Sequence, residues 1–192
     1  RRLPNLLEKM DFMVAPSRFV AELLEREFPE MPILELPPIL QAPGIREVNS
    51  EEIRLLITAN LVEVKGIVPF LRRLVQNGFQ SSVEIRLDVI GEADLEPGYA
   101  RQCLTLANEL NRERTWIRFH QPLEQTDYYR QFLLRADVVL APSIFETFGM
   151  AVAEALLAGI PVWASGAGNL PYLMETATRP SARSCSRQLR SC

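Results

Sequence analysis

The stretch ADVVLAPSIFETFGMAVAEALLAGIPVWAS occupies residues 136–165 and places one helical run between two short apolar runs. Residues 137–140 and 161–164 predict strands, and residues 148–158 predict the helix between them. A strand, a helix and a second strand in this order are typical of a βαβ unit, whose two strands lie parallel in one sheet. The stretch therefore predicts an α/β fold.

The same alternation continues towards the amino terminus. Strands are predicted at residues 53–58, 83–90 and 116–119, with helices at 66–77, 98–112 and 125–134. This pattern predicts a Rossmann-like parallel sheet with helices on both faces. Ligands of such sheets bind beyond the carboxyl ends of the strands. We therefore expect the loops at residues 60–65, 91–94, 120–123 and 142–147 to surround one crevice.

The first fifty residues predict a separate set of elements. A short helix is expected over residues 1–10, then a strand at 12–15, a helix from a Ser17 cap to about residue 28, and a strand at 33–36. Residues 37–50 are rich in proline and predict a linker.

The composition bounds the class of protein. The 192 residues are 47% hydrophobic and 23% charged, which predicts a packed core in a soluble chain. No apolar run approaches the ~20 residues that cross a bilayer, and no secretory signal opens the chain. Three cysteines predict neither a disulfide framework nor a metal cluster. We expect a cytoplasmic protein.

The charge is distributed unevenly. Residues 176–192 contain four arginines and no acid, whereas the rest of the chain carries 17 basic and 24 acidic side chains. The body therefore has no basic face of the kind that binds nucleic acid. The serine- and arginine-rich end predicts a disordered segment or one foreign to the natural protein, in preference to an RNA-binding arm.

Glu154 is the only ionisable residue between residues 148 and 159. Burying an unpaired carboxylate is costly, so Glu154 either has a partner or faces a cavity that receives a ligand. A second carboxylate, Glu146, lies eight positions earlier. The residues between them are expected to form a helix N-terminus, whose free amides suit an anion.

A second candidate for anion binding is Lys65-Gly66, which follows a predicted strand and opens a predicted helix. A lysine there can reach a diphosphate, while the glycine permits close approach of the backbone. The alternative is a solvated lysine at a helix start. His120, the only histidine, is interpreted as a polar residue at a strand end rather than as a nucleobase contact.

The spacing of Glu146 and Glu154, with Phe148-Gly149 between them, resembles the donor-site signature of retaining glycosyltransferases of family 4, the group 1 type. The flanking residues 136–146 and 155–165 also resemble that family, and the likeness extends over roughly residues 10–175. The resemblance implies one half of the GT-B fold, which has two Rossmann-like domains. Residues 1–40 would be a remnant of the amino-terminal acceptor domain and 41–50 the linker. Residues 51–175 would form a donor-binding domain incomplete at its carboxyl end, before the tail at 176–192.

The resemblance also implies roles for individual residues. Glu146 would bind the donor sugar near the reacting centre and Glu154 the ribose, while backbone amides of Phe148, Gly149 and Met150 would meet sugar and phosphate. Lys65, with Gly66, would contact the diphosphate, which makes Lys65 and Glu146 the expected catalytic residues. Asn60 is also expected at the donor, in the place where similar enzymes have an arginine. The family's catalytically implicated histidine belongs to the acceptor domain, so His120 is not given its role.

The implied activity is metal-independent transfer of a hexose, with retained configuration, from a nucleotide diphosphate-sugar. The donor is expected to be UDP- or GDP-linked, with no further cofactor and no metal. The acceptor, a glycan, a lipid or a small molecule, stays open, as does peripheral association of a longer parent with a membrane. We expect the full-length parent to be the enzyme and this chain alone to be inactive. The alternative is a non-catalytic nucleotide-binding or regulatory Rossmann-like domain.

Overall fold

The computed structural model describes residues 10–45, 52–79, 81–112, 114 and 116–178. Their contacts group them into two compact units. The described part of the smaller unit comprises residues 10–39, 147–149 and 168–178, and the larger unit contains the other described residues up to 167. The predicted helix at residues 1–10 lies outside the described residues except for its last position, and most of the predicted tail lies outside them as well.

The smaller unit begins with a short strand, a helix and a second strand: β1 (Met13–Ala15), α1 (Arg18–Glu27) and β2 (Ile33–Glu35). The two strands pair in parallel. Ser17 starts the helix because its hydroxyl accepts a hydrogen bond from the backbone amide of Val20 at 3.3 Å, which satisfies one of the free amides of the first turn. These three predicted elements and the Ser17 cap are confirmed to within one or two residues.

The larger unit is built on a parallel sheet, whose described strands are β3 (Ile53–Thr58), β4 (Ile85–Ile90), β5 (Ile117–His120), β6 (Val138–Ala141) and β7 (Val162–Ala164). Their order across the sheet is β5-β4-β3-β6-β7. The chain runs from β3 to one edge through β4 and β5, then returns to pair β6 with β3 and runs to the other edge. The direction of winding therefore reverses between β3 and β6.

Four helices connect these strands: α2 (Ile67–Gln76), α3 (Pro97–Leu110), α4 (Gln125–Gln131) and α5 (Met150–Leu157). Successive side chains of β3 point to opposite faces of the sheet. Ile57 packs into a core with Leu71 of α2 and residues of α3. Leu56 packs into a second core with Tyr129 of α4 and Ala155 of α5. Helices thus cover both faces, and the predicted α/β, Rossmann-like fold is confirmed.

Four predicted boundaries are wrong by two or more residues. The helix predicted over residues 98–112 ends at Leu110; the other three differences have an identifiable local reason. The strand predicted from residue 83 begins at Ile85, because the backbone amide of Val83 is bound by the Ser81 hydroxyl at 3.1 Å. The helix predicted from residue 148 begins at Met150, because Gly149 has a φ of 93°. The helix predicted over 125–134 ends at Gln131 and is followed by a 3-10 turn at Leu133–Arg135.

No helix is predicted from the sequence after Gly166 and Gly168, yet the structure has one, α6 (Leu170–Thr178). Leu170 is fully buried, and the half-buried Leu173 and Met174 follow at the spacing of one helical face. The glycines before this segment masked that periodicity. The tail predicted from residue 176 is corrected accordingly, since residues 176–178 complete the helix.

Cys103 gives a test of the packing between α3 and the sheet. Its side chain is fully buried, and burial raises the pKa of the thiol to about 12. Because the thiolate is the reactive form, we expect native Cys103 to resist iodoacetamide at pH 8 and to react after denaturation in urea. The measurement uses a variant in which Cys185 and Cys192 are serine. Rapid labelling of the native protein would contradict this packing.

Candidate functional site

The loops that follow β3, β4 and β5 are joined by hydrogen bonds at the carboxyl edge of the sheet. The backbone amide of Leu61 donates to the carbonyl of Glu92 at 2.8 Å, and the amide of Glu92 donates to the side-chain oxygen of Asn60 at 3.1 Å. The amide of Gly91 donates to the carbonyl of His120 at 3.2 Å. These bonds bring together the ends of three neighbouring strands, which is where ligands of open α/β sheets bind.

The loop after β6, residues 142–146, is fastened to the loop after β3, residues 59–66; we call these two segments the switch-point loops. The carbonyl of Val64 accepts hydrogen bonds from the amides of Ile144 and Phe145, at 2.8 and 3.2 Å. Gly66 has a φ of 67° and lies so close to the carbonyl of Pro142 that a Cβ would overlap it. Only glycine fits this contact, so the two loops are held in one arrangement.

Lys65 and Glu146, the two predicted catalytic residues, form an ion pair across the switch-point loops. The Nζ atom of Lys65 lies 2.7 Å from Oε2 of Glu146, and their side chains are 27% and 15% exposed. Ser143 contacts the same carboxylate oxygen at 3.5 Å, and the Ser165 hydroxyl donates to the backbone carbonyl of Ser143 at 2.5 Å. Because β3 and β6 are the strands between which the winding reverses, this pair lies at the topological switch point of the sheet.

Glu154 lies in α5 and is 8% exposed. The Tyr129 hydroxyl donates to its Oε1 at 3.0 Å, and the side-chain amide of Gln125 donates to the Tyr129 hydroxyl at 2.7 Å. Burial raises the pKa of the Glu154 carboxyl, and the hydrogen bond from Tyr129 counters part of that rise. The sequence left two explanations for a buried carboxylate in this helix, a partner or a cavity that receives a ligand. The structure shows the partner, Tyr129.

The partner itself, Tyr129, was missed by the sequence analysis. Gln125 and Tyr129 are four residues apart on α4, which places them on one face of that helix. That spacing was readable from the sequence. No pattern connected Tyr129 with Glu154, which lies 25 residues later on another element. The contact exists because α4 and α5 pack on the same face of the sheet.

The predicted residues between the two glutamates divide between the units. Phe148 and Gly149 belong to the smaller unit, and Met150 is the first residue of α5, with 43% of its surface exposed. The carbonyl of Phe148 accepts a hydrogen bond from the side-chain amide of Asn169 at 2.9 Å. Donor binding by these three residues, and one crevice shared by Lys65, Glu146 and Glu154, stay predictions.

Two polar residues at the strand ends have structural partners. Asn60 uses its side-chain oxygen to hold the backbone of Glu92, as described above. The Nε2 atom of His120 lies 2.7 Å from Oδ1 of Asp88, and its ring packs against Phe132 with the ring centres 4.7 Å apart. These contacts favour the interpretation of His120 as a strand-end residue.

A cavity of about 240 Å³ lies at the opposite, amino-terminal end of the strands. Arg54 and Arg86, each the second residue of its strand, contribute to its lining. Their charges are balanced, because Arg86 pairs with Asp88 at 2.8 Å and Arg54 with Glu52 at 3.3 Å. We interpret this cavity as a structural ion-pair region, separate from the loops that carry Lys65 and Glu146.

Two features of other classes of protein are absent from the described residues. No helix within the described ranges is long and apolar enough to cross a membrane. No group of three histidine, cysteine, aspartate or glutamate side chains that could hold a metal ion was found among the same residues.

Comparison with known proteins gives matches over most of the chain. A family model described as "Glycosyl transferases group 1" matches residues 52–180. A D-inositol 3-phosphate glycosyltransferase of Xylanimonas cellulosilytica is 34% identical over 141 residues, which cover 70% of this chain and 32% of that protein. The chain thus spans about a third of the length of this curated relative.

Solved structures share the fold at lower identity. A sucrose-phosphate synthase from Thermosynechococcus elongatus superposes with a TM-score of 0.71 at 20% identity, over 88% of this chain and 44% of that one. A glycosyltransferase from Rickettsia africae gives a TM-score of 0.68 at 17% identity, over 91% and 48% of the two chains. At these identities the likeness concerns the fold.

Proposed function

Because this chain belongs to the group 1 glycosyl transferases and has the Rossmann-like fold of their GT-B members, we propose that it binds the donor of a retaining glycosyltransferase. The donor is a nucleotide diphosphate-sugar, UDP- or GDP-linked, and the whole protein transfers its sugar to an acceptor. We assign donor binding to this chain and transfer to the whole protein. The observation that carries the proposal is the Lys65–Glu146 ion pair at the switch point of the sheet.

Lys65 is the cation that receives the diphosphate. In the structure its charge is neutralised by Glu146, and both side chains keep some exposure. A diphosphate brings several charged oxygens, which compete with the single carboxylate for the ammonium group. When Lys65 turns to the phosphates, Glu146 is released and can accept hydrogen bonds from hydroxyls of the sugar.

Glu154 is the acceptor for the ribose. An ionised carboxylate only accepts hydrogen bonds and offers about four positions for them. Tyr129 uses one position on Oε1, so the carboxylate can still accept from two neighbouring hydroxyls. An acidic side chain on the ribose hydroxyls is the arrangement that dinucleotide-binding Rossmann folds also use.

The reaction of the whole protein then follows from charge. The bond between the anomeric carbon and the diphosphate oxygen breaks, and its electron pair leaves with the diphosphate, which Lys65 stabilises. The acceptor hydroxyl forms the new bond on the same face, and its proton passes to the departing phosphate oxygen. We propose that Lys65 makes a metal ion unnecessary. Transfer by the whole protein that persists in excess EDTA supports this, and loss of transfer rejects it.

Replacement of Lys65 by alanine tests the proposed phosphate contact. We expect Lys65→Ala to bind UDP or GDP about tenfold more weakly, since a hydrogen bond to a charged group is worth about 1.5 kcal/mol or more. Isothermal titration calorimetry measures the change.

The matched control is Arg72→Ala, which removes a positive charge from an exposed position of α2. It is expected to leave affinity within twofold. Equal affinities of the parent and Lys65→Ala would remove Lys65 from the site. A parent that binds neither UDP nor GDP would reject the proposed function as a whole.

A further inference from the structure

Tyr129 is the side chain that fixes the carboxylate of Glu154. Its ring is buried, with 6% of the residue exposed, and its hydroxyl lies 3.0 Å from Oε1 of Glu154. The ring packs in the core that also contains Ala155, the residue after Glu154 in α5, and Ala158, just beyond the end of that helix. Because the ring is held in this core, the Tyr129 hydroxyl has one position, and from there it hydrogen-bonds Oε1 of Glu154.

The direction of the hydrogen bonds is set by Gln125. Its amide nitrogen is a donor, and it lies 2.7 Å from the Tyr129 hydroxyl oxygen, which therefore accepts. The hydroxyl hydrogen remains for Glu154, and Tyr129 donates to it. The result is a chain from the exposed Gln125 through the buried Tyr129 to the carboxylate.

From this geometry we propose that Tyr129 is a positioning residue for ribose recognition: it holds Oε1 of Glu154 so that the carboxylate presents its remaining acceptor positions to the two vicinal ribose hydroxyls. The inference rests on the proposed function, because it assumes that Glu154 meets the ribose. It adds a residue that touches no substrate and acts through Glu154. A rotating carboxylate would lose part of each hydrogen bond, since these bonds weaken steeply with poor geometry.

The adjacent residue provides a matched control. Tyr128 is as buried as Tyr129, at 7% exposure, and lies next to it on α4. Its hydroxyl is 3.0 Å from the hydroxyl of Thr58. Tyr128→Phe and Tyr129→Phe thus remove the same atom from neighbouring buried rings, but only the second removes the hydrogen bond to Glu154.

The experiment compares the affinities of UDP and GDP with those of their 2′-deoxy forms, for the parent and both variants, by calorimetry. We expect Tyr129→Phe to weaken binding of the ribose forms about fivefold to tenfold and to leave the 2′-deoxy forms within twofold, so that the preference for ribose falls. Tyr128→Phe should keep the parent's preference. Loss of a purely structural tyrosine would weaken both forms equally.

Each outcome decides a separate point. A parent that binds neither nucleotide rejects the proposed function, and with it this inference. A parent that prefers ribose, together with a Tyr129→Phe variant that keeps this preference, rejects the inference alone. If Tyr129→Phe does not fold, Gln125→Leu replaces it: Gln125 is exposed, and its loss frees the Tyr129 hydroxyl to turn. The ribose preference is then expected to fall by about twofold to threefold, and an unchanged preference overturns the proposal.

Discussion

Gly66→Ala is expected to destabilise the larger unit by about 2–5 kcal/mol and to weaken nucleotide binding. Two physical terms add at this position. The residue has a φ of 67°, and a side chain held in the left-handed region costs about 1–2 kcal/mol. The added Cβ also meets the carbonyl group of Pro142, part of the backbone, so a switch-point loop has to move at a further cost of about 1–3 kcal/mol. Movement of that loop carries Glu146 away from Lys65.

Gly78→Ala separates the two terms. Gly78 has a φ of 56°, so alanine there has the same backbone cost, but no atom lies within 4 Å of the position of its Cβ. We expect about 1–2 kcal/mol for this control and unchanged affinity for UDP or GDP. Urea unfolding gives the two stabilities. Equal losses in the two variants would show that the contact between Gly66 and Pro142 does not hold the switch-point loops together.

The sequence predicted the sheet well because strand signals are local. The apolar run at Ile53–Thr58 gave the bounds of β3 without error, and the alternation of strands with helices gave the parallel arrangement. The same logic placed Lys65 and Glu146 on loops at one edge, since the carboxyl ends of parallel strands meet there. Their contact at 2.7 Å follows from the reversal of winding between β3 and β6.

What the sequence did not predict depends on packing between distant elements. Tyr129 reads as an ordinary core tyrosine until α4 and α5 are placed side by side. The close contact of Gly66 with Pro142 could not be predicted from the local sequence either, because the two residues are 76 positions apart in the chain. In both cases only the tertiary structure shows the partner.

Glu154→Gln is expected to have opposite effects on binding and on stability. The amide keeps the size of the side chain and an oxygen that accepts from Tyr129, but it loses the charge. Hydrogen bonds to a charged group are worth about 1.5–3 kcal/mol, so affinity for UDP or GDP should fall about tenfold to a hundredfold. Stability should rise, because the variant no longer buries a carboxylate, and Tm should increase by a few degrees, equivalent to about 1 kcal/mol.

The dependence on pH identifies the cause of that gain. Burial raises the pKa of Glu154 above its ordinary value of 4.5, so between the two values the folded state holds a proton that the unfolded chain has lost. The parent therefore loses stability as pH rises through the folded pKa. At neutral pH the difference in free energy of unfolding between the parent and Glu154→Gln is at its full size. This difference in stability should shrink as pH falls towards 4.5.

Urea unfolding of the parent and Glu154→Gln at pH 7.5 and pH 5 measures this change. Glu109→Gln, which removes a carboxylate from an exposed position of α3, is the control and should alter neither stability nor affinity. A Glu154→Gln variant that is less stable than the parent at pH 7.5 would mean that the Tyr129 hydrogen bond outweighs the cost of burial. The carboxylate would then be a stabilising element of the core. The predicted gain instead means that the fold bears a cost for this charge, which a ligand with vicinal hydroxyls offsets on binding.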